Sequence, residues 1–179
     1  EWLSGASQDL SDYSKNLKEN VAARNAQDDA LDEWRTLGGE VTTGTSDAFA
    51  KVINPSSDAA AQASDTAGLA FWTKAGNSLS QDVFEPFLLL RVRGTYYLLK
   101  KGEPEWKSFQ EQLAIWKTGM EKFTETAKGK PELEPVVAKL NEYLLQYEAA
   151  GNRYHEAVLA EDMSRANTIV VPGGKMELA

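Results

Sequence analysis

An arginine stands inside the most apolar stretch of the chain, Phe87-Leu88-Leu89-Leu90-Arg91-Val92-Arg93, and that stretch reads as helix. A guanidinium buried without a partner is strongly unfavourable, so Arg91 either reaches water or holds an anion. The anion comes from another side chain or from a ligand. Arg24 interrupts a second apolar seam, Leu10, Leu17, Arg24 and Leu31, in steps of seven. The planar fork of arginine matches a carboxylate bidentately, so two arginines at one height suit a small organic acid.

Counting helix register from turns at Pro55 and Gly102 sets Arg91 opposite Leu17 to Arg24, Leu113 to Trp116 and Leu144 to Tyr147. Asn20, Arg24, Arg91, Trp116, Gln146 and Tyr147 then share one layer, the expected ligand-binding site. Arginine, amide and aromatic groups inside an otherwise apolar bundle suit a small polar ligand. In one reading Arg24 and Arg91 grip its carboxylate while Tyr147 and Asn20 complete the hydrogen bonds. In the other, Asp28, Glu148 or Glu111 pairs internally with either arginine. Arg93 turns away from Leu90 and Gly94 and reads as a surface residue.

Trp34, Trp72 and Trp116 are each followed within four residues by Gly38, Gly76 and Gly119. Large rings facing small residues make ordinary interdigitated packing, or a platform for an aromatic ligand. Trp34 and Trp72 lie at similar distances from Pro55 and are expected to meet. The single histidine, His155, shares a polar stripe with Glu148, Asn152 and Asp162, which suits exposure. Its position three residues after Asn152 breaks the Glu-x-x-His pattern of di-metal bundles, and one histidine off the core supports haem poorly. There is no glycine-rich phosphate loop and no nucleophile elbow. The chain reads as non-enzymatic, with no catalytic residues, metal or cofactor.

The composition narrows the partners. Twenty-seven acids against 19 bases give a net charge of -8, which excludes the basic stripe of a nucleic-acid surface. With 42% hydrophobic and 26% charged residues the 179-residue chain supports a sizeable core in one domain, residues 1–179. No apolar run approaches the roughly 18–20 residues of a membrane span. A start at Glu1-Trp2-Leu3 and a stop at Met176-Glu177-Leu178-Ala179 suggest an excised segment. The absence of cysteine rules out disulfides, thiolate zinc and covalent haem, and suits an exported domain.

Apolar residues recur at helical spacing throughout. Trp106, Phe109, Leu113, Trp116, Met120, Phe123 and Ala127 advance by threes and fours and fall on one helix face, with Pro104 in the first turn. Leu133, Val137, Leu140, Leu144, Tyr147, Gly151, Tyr154 and Val158 repeat the pattern after the turn Lys128-Gly129-Lys130-Pro131. On the first leg, Gly38-Gly39 and Val41-Thr42-Thr43-Gly44-Thr45 predict a hinge or break, with Ser46-Asp47 as a restart. A soft spot falls at Gly76-Asn77, and Pro86 predicts a kink or a new helix start.

Four legs follow, at about residues 1–53, 56–101, 104–127 and 131–168. They predict an all-α, elongated up-down-up-down bundle with legs of up to about 65–70 Å, its long first hairpin rising above a shorter second one. Both chain ends leave from one end of the rod.

That architecture resembles the extracytoplasmic sensor region of bacterial methyl-accepting chemotaxis receptors, of the four-helix-bundle or helical bimodular type. Leu89-Leu90-Arg91-Val92-Arg93-Gly94-Thr95-Tyr96-Tyr97-Leu98-Leu99 is similar to the second-helix segments of such domains, and Tyr154 to Ala179 to their last helix. The resemblance implies a periplasmic portion of an inner-membrane protein, flanking transmembrane helices outside this segment, a homodimer and a small-molecule ligand. Dimerisation is expected through the first helix. The same bundle occurs on histidine kinases. A structural helical spacer that binds only protein is the reading from another class, and a soluble metal or haem enzyme a remote third.

Overall fold

In the computed structural model the backbone of residues 2–176 and the side chains of residues 7, 8 and 10–166 are described. The proposed excision points at the two ends lie outside the side chains described. The fold is all-α, a helical bundle that is 93% helical with no strand among the described residues. The helices are α1 (Trp2–Ala48), α2 (Asn54–Gln62), α3 (Thr66–Ser78), α4 (Glu85–Lys100), α5 (Glu103–Ala127) and α6 (Glu134–Met176). Two π-helical segments, Phe49–Ile53 and Leu79–Phe84, join α1 to α2 and α3 to α4. Four legs result, separated by turns at residues 63–65, 101–102 and 128–133.

The first leg therefore runs past Pro55 to Gln62, and the expected turn at Pro55 is corrected to Ala63-Ser64-Asp65. Proline lacks an N–H and its ring crowds the carbonyl four residues back. The π-segment before it widens that turn, and the Asn54 N–H bonds the Phe49 carbonyl five residues earlier. Pro86 has the same device: the Glu85 N–H bonds the Ser80 carbonyl, and α4 starts at Glu85 with the proline in its first turn. The true turn has Ser64 at φ 57° and Asp65 as N-cap, its carboxylate accepting from the Gly68 N–H at 2.9 Å.

The expected break at Gly38 to Thr45 is also absent; α1 is continuous there. Thr42, Thr45 and Ser46 donate their hydroxyls to the carbonyls of Gly38, Val41 and Thr42. Val41 and Thr45 are buried, so tertiary packing outweighs the weak helix propensity of these residues. Ser46-Asp47 lies inside the helix and caps nothing. The fourth leg begins at Glu134, three residues later than expected, because Pro131 to Leu133 belong to the turn.

By its contacts the chain divides into two compact units, a terminal unit (residues 1–34 and 149–179) and a bundle unit (residues 35–148). The terminal unit pairs the first part of α1 with the last part of α6. Gln27, Ala30, Trp34, Tyr154, Ala157, Val158 and Ser164 are buried there, with the Trp34 and Tyr154 ring centroids 5.9 Å apart. Ser164 donates to the Asn16 carbonyl at 2.9 Å. Leu10, Tyr13, Leu17 and Val21 remain exposed, as do Leu159 and Met163.

The bundle unit packs four legs around a core in which every member of the α5 stripe from Trp106 to Ala127 is buried. Its largest side chains include Phe87, Tyr97, Phe109, Trp116 and Phe123. Where legs approach most closely the sequence supplies glycine. A Cβ at Gly119 would overlap the Asp82 carbonyl, and one at Gly44 would lie 2.8 Å from the Tyr143 ring. The Gly119 contact falls on the π-segment ahead of Pro86.

Candidate ligand-binding site

The six residues expected in one layer fall into two sets. Asn20 and Arg24 belong to the terminal unit, and Arg91, Trp116, Gln146 and Tyr147 to the bundle unit. Arg24 is exposed and its Nε lies 3.3 Å from Glu161. Glu161 also accepts from the Gln27 amide at 3.1 Å. An internal carboxylate thus engages Arg24, though it is none of those weighed from the sequence.

The register error explains the division. With the turn at Ser64 in place of Pro55, equal counting puts Leu37 and Gly38 opposite Arg91. The structure has that arrangement: a Cβ at Gly38 would lie 3.4 Å from the Arg91 Nε and 3.6 Å from the Tyr147 ring. Leu37, Gly38 and Val41 are the buried residues of α1 in this region.

Arg91 itself is exposed, which resolves its conflict with the apolar run. On α4 the core takes Phe87, Leu90, Gly94 and Tyr97, and the arginine projects from the edge of that face. Its Nη1 donates to the Thr42 hydroxyl at 3.4 Å, a long bond, and no carboxylate pairs with it among the described residues. Glu148, one expected partner, takes Lys117 at 2.6 Å instead. Gln146 is exposed and donates to Glu142 at 3.1 Å.

Trp116 and Tyr147 pack together in the bundle core, with Tyr147 at the Gly38 position that also adjoins Arg91. Their centroids are 5.9 Å apart and edge-to-face at 86°, with the Phe87 ring 4.9 Å from Trp116 and 5.4 Å from Tyr147. The Trp116 indole N–H is buried without a hydrogen-bond partner. Trp72 packs edge-to-face on Phe71, and the Lys130 ammonium lies 5.9 Å above it. The expected Trp34–Trp72 meeting rested on the misplaced turn. Gly38 faces Arg91, Gly76 faces Ile53 and Gly119 faces Asp82, so these glycines admit other legs rather than their own tryptophans. His155 is half-buried.

Two grooves in the bundle unit escaped sequence reasoning. One, of about 350 Å³, lies between the π-segment and α5, lined by Asp82, Pro86, Ile115, Gly119 and Lys122. Asp82 accepts from the Ser78 hydroxyl at 2.8 Å and lies 3.7 Å from Lys122. The other, of about 260 Å³, lies between α1 and α6, where the Lys139 ammonium sits 4.7 Å from the centre of the Tyr143 ring. The signals were Pro86 and Gly119 for the first groove, and Gly44 and Pro135 for the second.

Among the described residues no three histidine, aspartate or glutamate side chains converge as a metal site, and no helix is long and apolar enough to cross a membrane. No known protein family, curated protein or solved structure matches this chain.

Proposed function

We propose that this chain is the extracytoplasmic sensor domain of a chemoreceptor, binding a small carboxylate at Arg91. The observation that carries the reading is the guanidinium of Arg91, exposed and without a carboxylate partner, beside the bare backbone of Gly38 and the ring of Tyr147. A guanidinium fork with its donors open to solvent is suited to a ligand carboxylate. The Thr42 hydroxyl supplies a neighbouring polar group, and Tyr147 is itself packed against the core rings of Phe87 and Trp116. Arg24 and Asn20 are not part of this site.

The signal would pass along helices. α1 and α6 each contribute to both units without interruption, so a ligand that favours one packing of the bundle biases the same helices in the terminal unit. Two helices alone leave Leu10, Tyr13, Leu17, Val21, Leu159 and Met163 exposed. A second copy covering that seam as a homodimer fits this surface, and membrane helices would flank the segment. The same domain on a histidine kinase accounts equally for these features.

The test is thermal unfolding against small carboxylates, with amino acids and aromatics as controls. A ligand at 100 times its dissociation constant adds about 2.7 kcal/mol. Carboxylate-dependent stabilisation of the native chain that disappears in Arg91→Ala supports the site. Stabilisation that persists in that variant moves the ligand elsewhere, and none with any compound favours a structural spacer.

A further inference from the structure

A third groove of the bundle unit, of about 310 Å³, runs between α4 and α5 and is lined by Arg93, Tyr96, Lys100, Pro104, Glu105 and Ser108. That volume is at the lower end of small-molecule clefts, roughly 300–1,000 Å³. Steps of three and four put Arg93, Tyr96 and Lys100 within about 60° of one another around α4. Pro104 and Ser108, one turn apart on α5, form the opposite wall.

The polar groups of this groove are unevenly engaged. At the end nearer the turn, the Lys100 ammonium lies 3.2 Å from Glu105. The Glu105 carboxylate leans back over the start of α5, where a Cβ at Gly102 would lie 2.5 Å from its Oε2. Those two charges answer each other and leave Arg93 uncompensated. Among the described residues Arg93 has no ion pair or hydrogen bond, and neither has the half-buried Ser108 hydroxyl or the 52% exposed Tyr96. Elsewhere this acid-rich chain does supply partners, since Arg24 and Arg153 each take a glutamate. Glu111 follows Ser108 on the same side of α5 and still does not pair with Arg93.

We infer that this groove binds an aromatic monocarboxylate, its carboxylate on Arg93 and Ser108 and its ring on Tyr96 and Pro104. The guanidinium fork donates two parallel N–H bonds to a carboxylate, and the serine hydroxyl adds a third donor. Two cations and one anion line the groove, so a single negative charge balances it. A dianion such as phosphate would set its second charge against Glu105. The Tyr96 ring has no aromatic neighbour, so its face is open to offset or edge-to-face packing with a ligand ring. Arg91 stands two residues earlier, about 200° around α4, beside Gly38 of α1. The groove is therefore separate from the Arg91 site and does not rest on the carboxylate reading there.

Isothermal titration of the native chain with benzoate tests the inference. The expected result is saturable binding that Arg93→Ala weakens at least about tenfold, while Arg91→Ala leaves it unchanged. Ser108→Ala weakens it about three- to tenfold. Cyclohexanecarboxylate, with the same charge and no flat ring, binds about two- to tenfold more weakly than benzoate, and Tyr96→Ala abolishes that preference. Melting of the unliganded chain is unchanged in Arg93→Ala; a clear fall would reveal an internal pair such as Arg93–Glu111 and overturn the inference. No saturation by about 10 mM benzoate overturns it too, as does saturation that survives Arg93→Ala. Loss of binding in Arg91→Ala alone would assign benzoate to the Arg91 site, overturning this groove while supporting the proposed function. Acetate or inorganic phosphate binding through Arg93 as tightly as benzoate overturns the aromatic class.

Discussion

Gly119 on α5 meets the backbone carbonyl of Asp82 so closely that no Cβ fits between them. The carbonyl belongs to the π-segment that accommodates Pro86, so a local backbone adjustment on one leg dictates a glycine on another. Both atoms are main chain or next to it, and neither can swing aside. Gly119→Ala should therefore destabilise the chain by about 1–3 kcal/mol, as overpacking does, despite the better helix propensity of alanine. Chemical denaturation measures this. A gain in stability would show that the legs separate freely there.

Gly38→Ala provides the contrast. Its Cβ would make ordinary van der Waals contact with Arg91 and Tyr147, and α1 is continuous through that position. The substitution should be neutral or stabilise by up to about 1 kcal/mol, from helix propensity alone. A large loss in the same denaturation experiment would contradict the spacing at the Arg91 wall.

Arg91→Ala should change the melting temperature of the unliganded chain little. The side chain is exposed and makes one long hydrogen bond, so no buried carboxylate is stranded by its loss. A buried ion pair broken on one side would cost about 3–5 kcal/mol. If Arg91 holds a ligand carboxylate, the same variant weakens binding by about 1.5–3 kcal/mol, and Arg91→Lys also binds more weakly because the fork is gone. Unliganded melting and ligand titration therefore separate the structural and binding roles.

Trp116 combines a fully buried ring with an unpartnered indole N–H. Trp116→Ala should cost about 3–5 kcal/mol through the cavity it leaves in the aromatic core. Trp116→Phe loses less than the alanine variant, because it retains much of the ring packing and removes an unsatisfied donor whose burial costs about 1–3 kcal/mol. Equal losses in the two variants would mean that the indole N–H is satisfied in solution.

The Lys139–Glu142 pair on α6 gives a pH prediction. Their 2.9 Å hydrogen bond holds the Glu142 carboxyl below, and the Lys139 ammonium above, their usual values. Glu142 contributes above its unfolded-state value and loses that contribution as pH falls through its lowered folded value. Lys139 contributes below its unfolded-state value and loses that contribution as pH rises through its raised folded value. NMR titration should find Glu142 below an ordinary glutamate, returning toward normal in Lys139→Ala. No movement in that variant would remove the pair as the cause.

The sequence by itself determined the all-α class and the inward face of α5. Seven apolar residues at helical spacing, from Trp106 to Ala127, are all buried, because a helix with one such stripe has one way to hide it from water. It also carried the real first turn, in the Ser64-Asp65 cap, though Pro55 drew the turn earlier. Proline ordinarily interrupts a helix, and only the tertiary structure decided that a π-segment would absorb it. That decision moved the residue opposite Arg91 from the neighbourhood of Asn20 and Arg24 to Gly38. Tertiary structure likewise decided which side of the apolar α4 faces inward: Phe87 and Leu90 are fully buried while Leu89 and Val92, of similar hydrophobicity, stay exposed. Hydrophobicity sets how much surface seeks cover, whereas helix register sets which surface finds it.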